Sequence, residues 1–63
     1  MTPRDIQETA FRLVAEHGDT APMFAAMEAD ERLDAGDLDR AAFWRRVIEA
    51  IEKMQAGAVG AVH

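Results

Sequence analysis

Apolar side chains recur along this chain at intervals of three and four, with no stretch alternating at two, so the sequence predicts helices and no strand. With residues spaced at about 100°, Ile6, Ala10, Leu13, Val14 and His17 share one stripe, and Phe11 stands to its side. Towards the C-terminus, Phe43, Trp44, Val47, Ile48, Ala50, Ile51 and Met54 cover an arc of about 180°, wider than one neighbouring helix needs. Arg45, Arg46, Glu49, Glu52 and Lys53 hold the opposite side. The last helix should therefore sit at the centre and touch both others. The middle segment is less decided. Ala26, Ala29 and Leu33 suggest one face and Met23, Phe24 and Met27 another, with Asp30 and Asp34 interrupting them.

Turn residues place the boundaries. Thr2 before Pro3 reads as a helix cap and first helical residue, and Asp5 completes a capping box. Gly18 supplies a left-handed stop after His17, and Asp19 or Thr20 then caps a second helix with Pro22 in its first turn. Gly36 repeats the stop and Asp37 caps the third helix. The expectation is an all-α three-helix bundle with helices at about 3–17, 20–35 and 38–55. It forms one domain over residues 1–56, followed by a flexible, disordered tail at 57–63.

Composition makes that fold a marginal one. The chain has 63 residues, of which 49% are hydrophobic. Alanine makes up a large part of that fraction, leaving few larger side chains for a core. Chains of this size bury only about 60% of their unfolded surface. Cysteine is absent, which excludes disulfides, and the two histidines lie at positions 17 and 63, which argues against a metal site. Tight helix packing or association remains. Twelve acids against seven Lys plus Arg give a net charge of −5, concentrated between residues 19 and 39. That balance argues against nucleic-acid binding and against docking on anionic membranes. No apolar run is long enough to span a bilayer and no signal-peptide layout is present, so a soluble, cytoplasmic protein is expected. Arg40, Arg45 or Arg46 should face Asp30 or Asp34 across the bundle.

Tests for chemistry mostly fail. His17 has no serine, cysteine or tyrosine to activate, and a histidine at a helix C-terminus is favoured by the dipole alone. An EF-hand register with Gly36 at its sixth position puts Leu33 and Ala35 where carboxylates should be. Trp44-Arg45-Arg46 would suit the third helix of a helix-turn-helix reader, but Trp44 belongs to the apolar arc and Glu49 and Glu52 flank the arginines. Gly36-Asp37-Leu38-Asp39-Arg40-Ala41 looks like half of a tetratricopeptide unit, without a second copy, and any tight helical hairpin would read the same.

His17-Gly18-Asp19, Gly36-Asp37, Trp44 and Ile48-Ile51 together resemble a group of small all-helical proteobacterial proteins of unknown function. The likeness spans about residues 5–55. It implies a helical fold and a bacterial cytoplasmic setting, and it carries no activity or site residues.

The expected function is that of a non-enzymatic interaction module, forming a homodimer or binding one protein partner. No catalytic, cofactor or metal residues are assigned, and no small-molecule substrate is evident. Phe11, Met23, Phe24, Met27 and Phe43 are the interface candidates, because narrow helices cannot turn all of them inward. Two other readings compete: a nucleic-acid-binding regulator using the third helix, and an acidic inhibitor imitating phosphates with Asp30, Asp34 and Asp37.

Overall fold

A computed structural model of the chain describes residues 2–60, with side chains described for residues 2–56. The fold is all-helical. Helix α1 is Pro3–His17, α2 is Ala21–Asp34 and α3 is Leu38–Gly60. The expected loop between the first two helices is not there. A 3-10 turn at Gly18–Thr20 carries helical backbone straight from α1 into α2. The chain thus has two continuous helical stretches, 3–34 and 38–60, the first of them bent, in place of three helices joined by loops.

Local chemistry explains the bend. Gly18 takes φ +58, a region costly for any residue with a Cβ, and its N–H donates to Val14 O. Thr20 does not cap α2 by accepting a backbone hydrogen bond, as the sequence suggested. Its hydroxyl instead donates to His17 O at 2.9 Å, satisfying a carbonyl at the end of α1. Pro22 needs no N–H partner, so α2 can begin at once.

The other two ends follow the sequence closely. Asp5 N–H donates to Thr2 Oγ1 at 3.2 Å, and Thr2 N–H returns a bond to Asp5 Oδ2 at 3.3 Å. Past α2, Gly36 at φ +77 builds a Schellman motif: Asp37 N–H donates to Arg32 O at 2.8 Å and Gly36 N–H to Leu33 O at 3.0 Å. Asp37 then opens α3, its Oδ1 accepting from Arg40 N–H at 3.1 Å. Three residues thereby end one helix and start the next. At the far end, helical backbone continues past residue 55, where the third helix was expected to end, and through Gly57 to Gly60. A lone glycine costs a helix about 1 kcal/mol and need not end it. The rest of the expected tail, residues 61–63, lies outside the described residues.

Packing centres on α3, as its wide apolar arc required. Both α1 and α2 lie against it, and α2–α3 is the most extensive helix pair. The buried core is Ala10 from α1, Ala21, Ala25 and Ala29 from α2, and Ala41, Val47, Ala50 and Ile51 from α3. On α2 the inward face is the alanine ridge at i, i+4, i+8 and not the face of Ala26, Ala29 and Leu33. Ala26 is only half-buried and Leu33 is 48% exposed. The packed face is turned by roughly 70° from the expected one. Alanine wins the inward position because it lets α2 approach α3 closely. Ile6, Leu13, Val14, Phe43, Trp44, Ile48 and Met54 close the edges of the core.

Val47 and Ile51 are the only large side chains that are fully buried among the described residues. For a 63-residue chain, total stability is on the order of 3–9 kcal/mol. We therefore expect Ile51→Ala, at a cost of about 2–5 kcal/mol, to remove most of it. Ala25→Leu should destabilise by about 1–3 kcal/mol through overpacking of the ridge. Urea denaturation followed by helical circular dichroism measures both, and a change below about 0.5 kcal/mol at either site would contradict this account of the core.

Candidate interaction surface

The outer face of α2 follows from its inner one. With Ala21, Ala25 and Ala29 against α3, residues 23, 27, 30 and 34 fall on the opposite side at intervals of four, three and four. Met23 is 60% and Met27 51% exposed, and Asp30 and Asp34 are exposed below them. The structure thus brings two of the interface candidates and two of the acidic candidates into one stripe. Its upper half is apolar and its lower half acidic. The spacing was available in the sequence, but the choice of inward face was needed to see it.

Other candidates have different surroundings. Phe24, at the edge of the stripe, is stacked on His17 with ring centroids 3.8 Å apart and planes 20° from parallel. This gives His17 a structural role: its ring packs on Phe24 across the bend and lies 3.9 Å from Glu16 Oε1. Phe11 is 70% exposed, but on α1. Phe43 packs against the core and meets Trp44 edge to face at 5.5 Å, so it faces inward more than outward. Asp37 is engaged in capping α3 and also lies 3.5 Å from Arg40 Nε, which withdraws it from a free acidic face. Leu33 and Leu38, on either side of the second turn, are exposed large apolar residues not among the candidates. Leu33, expected on the packed face of the second helix with Ala26 and Ala29, is therefore in solvent. Each leucine precedes or follows the turn on the side away from the bundle.

The ion pairs among the described residues are all local. Arg4 meets Glu8, Arg32 meets Glu28 and Arg40 meets Asp37, each within four residues along the chain. No arginine reaches Asp30 or Asp34 across the bundle among the described residues, contrary to expectation. Long-range polar ties are correspondingly few; Gln55 Nε2 donates to Gly18 O at 3.0 Å and pins α3 to the bend.

A cleft of about 480 Å³ opens where α1, the end of α2 and the start of α3 converge. Arg12, Arg32 and Arg40 line it with Asp5, Glu8 and Trp44. Arg32 and Arg40 already hold Glu28 and Asp37, so carboxylates match or exceed arginines around it. Such a cleft has no surplus positive charge to draw an anion. The buried Arg32 Nε lacks a hydrogen-bond partner, a cost of placing the guanidinium stem against the bundle. Arg45 and Arg46 are exposed on the third helix with Glu49 and Glu52 beside them, which leaves no continuous basic face. Among the described residues, no group of three His, Asp or Glu side chains is placed to hold a metal ion. None of the described helices is long and apolar enough to cross a membrane.

Comparison with family models, with curated proteins and with solved structures returns no match.

The His17–Phe24 stack should carry measurable energy. In a double-mutant cycle of His17→Ala and Phe24→Ala, we expect a coupling of about 0.5–1.5 kcal/mol by thermal or urea unfolding. Additive single effects would mean that the rings merely lie side by side.

Proposed function

We propose that this chain is a non-enzymatic helical interaction module that self-associates through the outer face of α2. One observation carries the reading. Among the described residues, two large apolar side chains are fully buried, whereas six are exposed: Phe11, Met23, Phe24, Met27, Leu33 and Leu38. A monomer with that distribution leaves in water much of the apolar surface on which its stability should rest. Burial of Met23 and Met27 against another chain would add stabilisation that the alanine core does not provide. Methionine also suits such a contact, because its unbranched chain adapts to the opposing surface. An absence of serine, cysteine and tyrosine, together with a histidine engaged in stacking, supports the non-enzymatic part.

A second reading has an observation in its favour. Asp30, Glu31 and Asp34 are exposed and have no ion-pair partner among the described residues, as an acidic surface for a basic protein would require. Charge reversal separates the two. Asp30→Lys with Asp34→Lys would abolish binding to a basic partner, yet would not by itself remove the methionine contact.

Sedimentation equilibrium tests the leading reading. We expect a dimer mass at high micromolar concentration, and a shift to monomer in the Met23→Ser, Met27→Ser double variant with its helical circular dichroism unchanged. A strict monomer over the whole range would overturn self-association.

A further inference from the structure

Away from the α2 stripe, the cleft where α1, the end of α2 and the start of α3 converge has walls of two kinds. Its volume of about 480 Å³ falls within the range of about 300–1,000 Å³ usual for small-molecule sites. One wall is aromatic. Phe43 and Trp44, both half-buried and edge to face at 5.5 Å, supply it from α3. The α1 wall is polar: Asp5, Glu8, Thr9 and Arg12 follow one another at intervals of three, one and three, on one side of the helix.

Charge in the cleft cancels. Arg12, Arg32 and Arg40 line it with Asp5 and Glu8, and the ion-pair partners beyond the lining are Arg4, Glu28 and Asp37. Four arginines thus stand against four carboxylates, a balance that draws neither an anion nor a cation. Some groups nevertheless remain unengaged. The Arg12 guanidinium, the Thr9 hydroxyl and the Trp44 indole N–H make no hydrogen bond or ion pair among the described residues. All three are donors, and a carboxylate is the acceptor that suits a guanidinium best. Glu8 stands one turn before Arg12 and pairs only with the exposed Arg4, 3.5 Å away, a contact that gives way readily in water.

We propose that this cleft binds a small zwitterion bearing an aromatic group, of the chemical class of the aromatic α-amino acids. The carboxylate bonds to Arg12 and Thr9, the ammonium to Glu8, and the ring packs on Phe43 and Trp44. Such a ligand is neutral as a whole and charged at one end in both senses. The cleft matches it, neutral as a whole with an unengaged cation one turn from a weakly held carboxylate. An aromatic anion would gain at Arg12 and lose at Asp5 and Glu8, and an aromatic cation would gain at Glu8 and lose at three arginines. The site is independent of self-association, since neither Met23 nor Met27 lines it.

Trp44 is the sole tryptophan and tyrosine is absent, so indole emission from the full chain reports on this cleft. L-phenylalanine is the probe, with phenylpropionate lacking the ammonium and phenethylamine lacking the carboxylate. We expect a saturable change in Trp44 emission with millimolar L-phenylalanine, and binding about tenfold weaker for each of the other two. Arg12→Gln should weaken L-phenylalanine by about the same factor without weakening phenethylamine. Glu8→Gln should weaken L-phenylalanine without weakening phenylpropionate. Both side chains are exposed, so helical circular dichroism should stay unchanged in either variant. Amide chemical shifts in the same titrations report any binding that leaves the indole emission unaltered. Equal affinity for all three compounds would reduce the cleft to a nonspecific aromatic contact and overturn the assignment. So would saturable shifts centred away from residues 5–12 and 40–44, or no saturation by either measurement.

Discussion

Close approach of α2 to α3 along Ala21, Ala25 and Ala29 is the contact on which the remaining structure depends. Each alanine gives up hydrophobic area in exchange for proximity. Val47 and Ile51 are fully buried between this ridge and the larger side chains of α1, Ile6, Leu13 and Val14, that pack against the same cluster. The ridge also decides the rest of α2 by rotation. Once the alanines face inward, Met23 and Met27 must face outward, because a helix of 14 residues offers no third option. The exposed methionines are thus a consequence of how the core is built.

That arrangement needs α2 held at a fixed angle to α1, and the bend at Gly18–Thr20 does this with few groups. A positive φ at Gly18, a hydroxyl returned to His17 O, the His17–Phe24 stack and the Gln55 bond to Gly18 O converge on one corner. Together they replace a loop with a continuous, bent helical stretch. The opposite corner, at Gly36 and Asp37, is held by backbone and cap hydrogen bonds and by the local Asp37–Arg40 ion pair. Leu33 and Leu38 are left in solvent there because the Schellman turn directs the chain by hydrogen bonding and has no apolar side chain to cover them.

Charge and apolarity meet on the same surface for a related reason. Among the described residues, ion pairs stay within four residues of each other, and none draws the α2 acids towards the arginines of α3. Exposed pairs of this kind contribute about 0–1 kcal/mol, too little to reorient a helix against a packed alanine ridge. The acids therefore remain beside the methionines.

Helical class, the cap at Thr2 and Asp5, the glycine turns, the inward stripe of α1 and the arc of α3 were all readable in the residues. Each depends on local chemistry or on a strong apolar period. The face of α2 was not readable. Alanine is apolar enough for either side and small enough to mark neither, so the sequence offered the face of Ala26, Ala29 and Leu33 and that of Met23, Phe24 and Met27, and not the ridge of Ala21, Ala25 and Ala29 that packs. Only the packing against α3 separates them, and that depends on side chains of another helix, Ala41, Val47, Ala50 and Ile51. The loop expected after Gly18 failed for a similar reason: glycine announces a change of direction, and the contacts on either side determine whether the helix stops or merely bends. The candidate surface inherits this split. Its residues could be named from composition, but their assembly into one stripe, half methionine and half acid, followed from the packing of the opposite face.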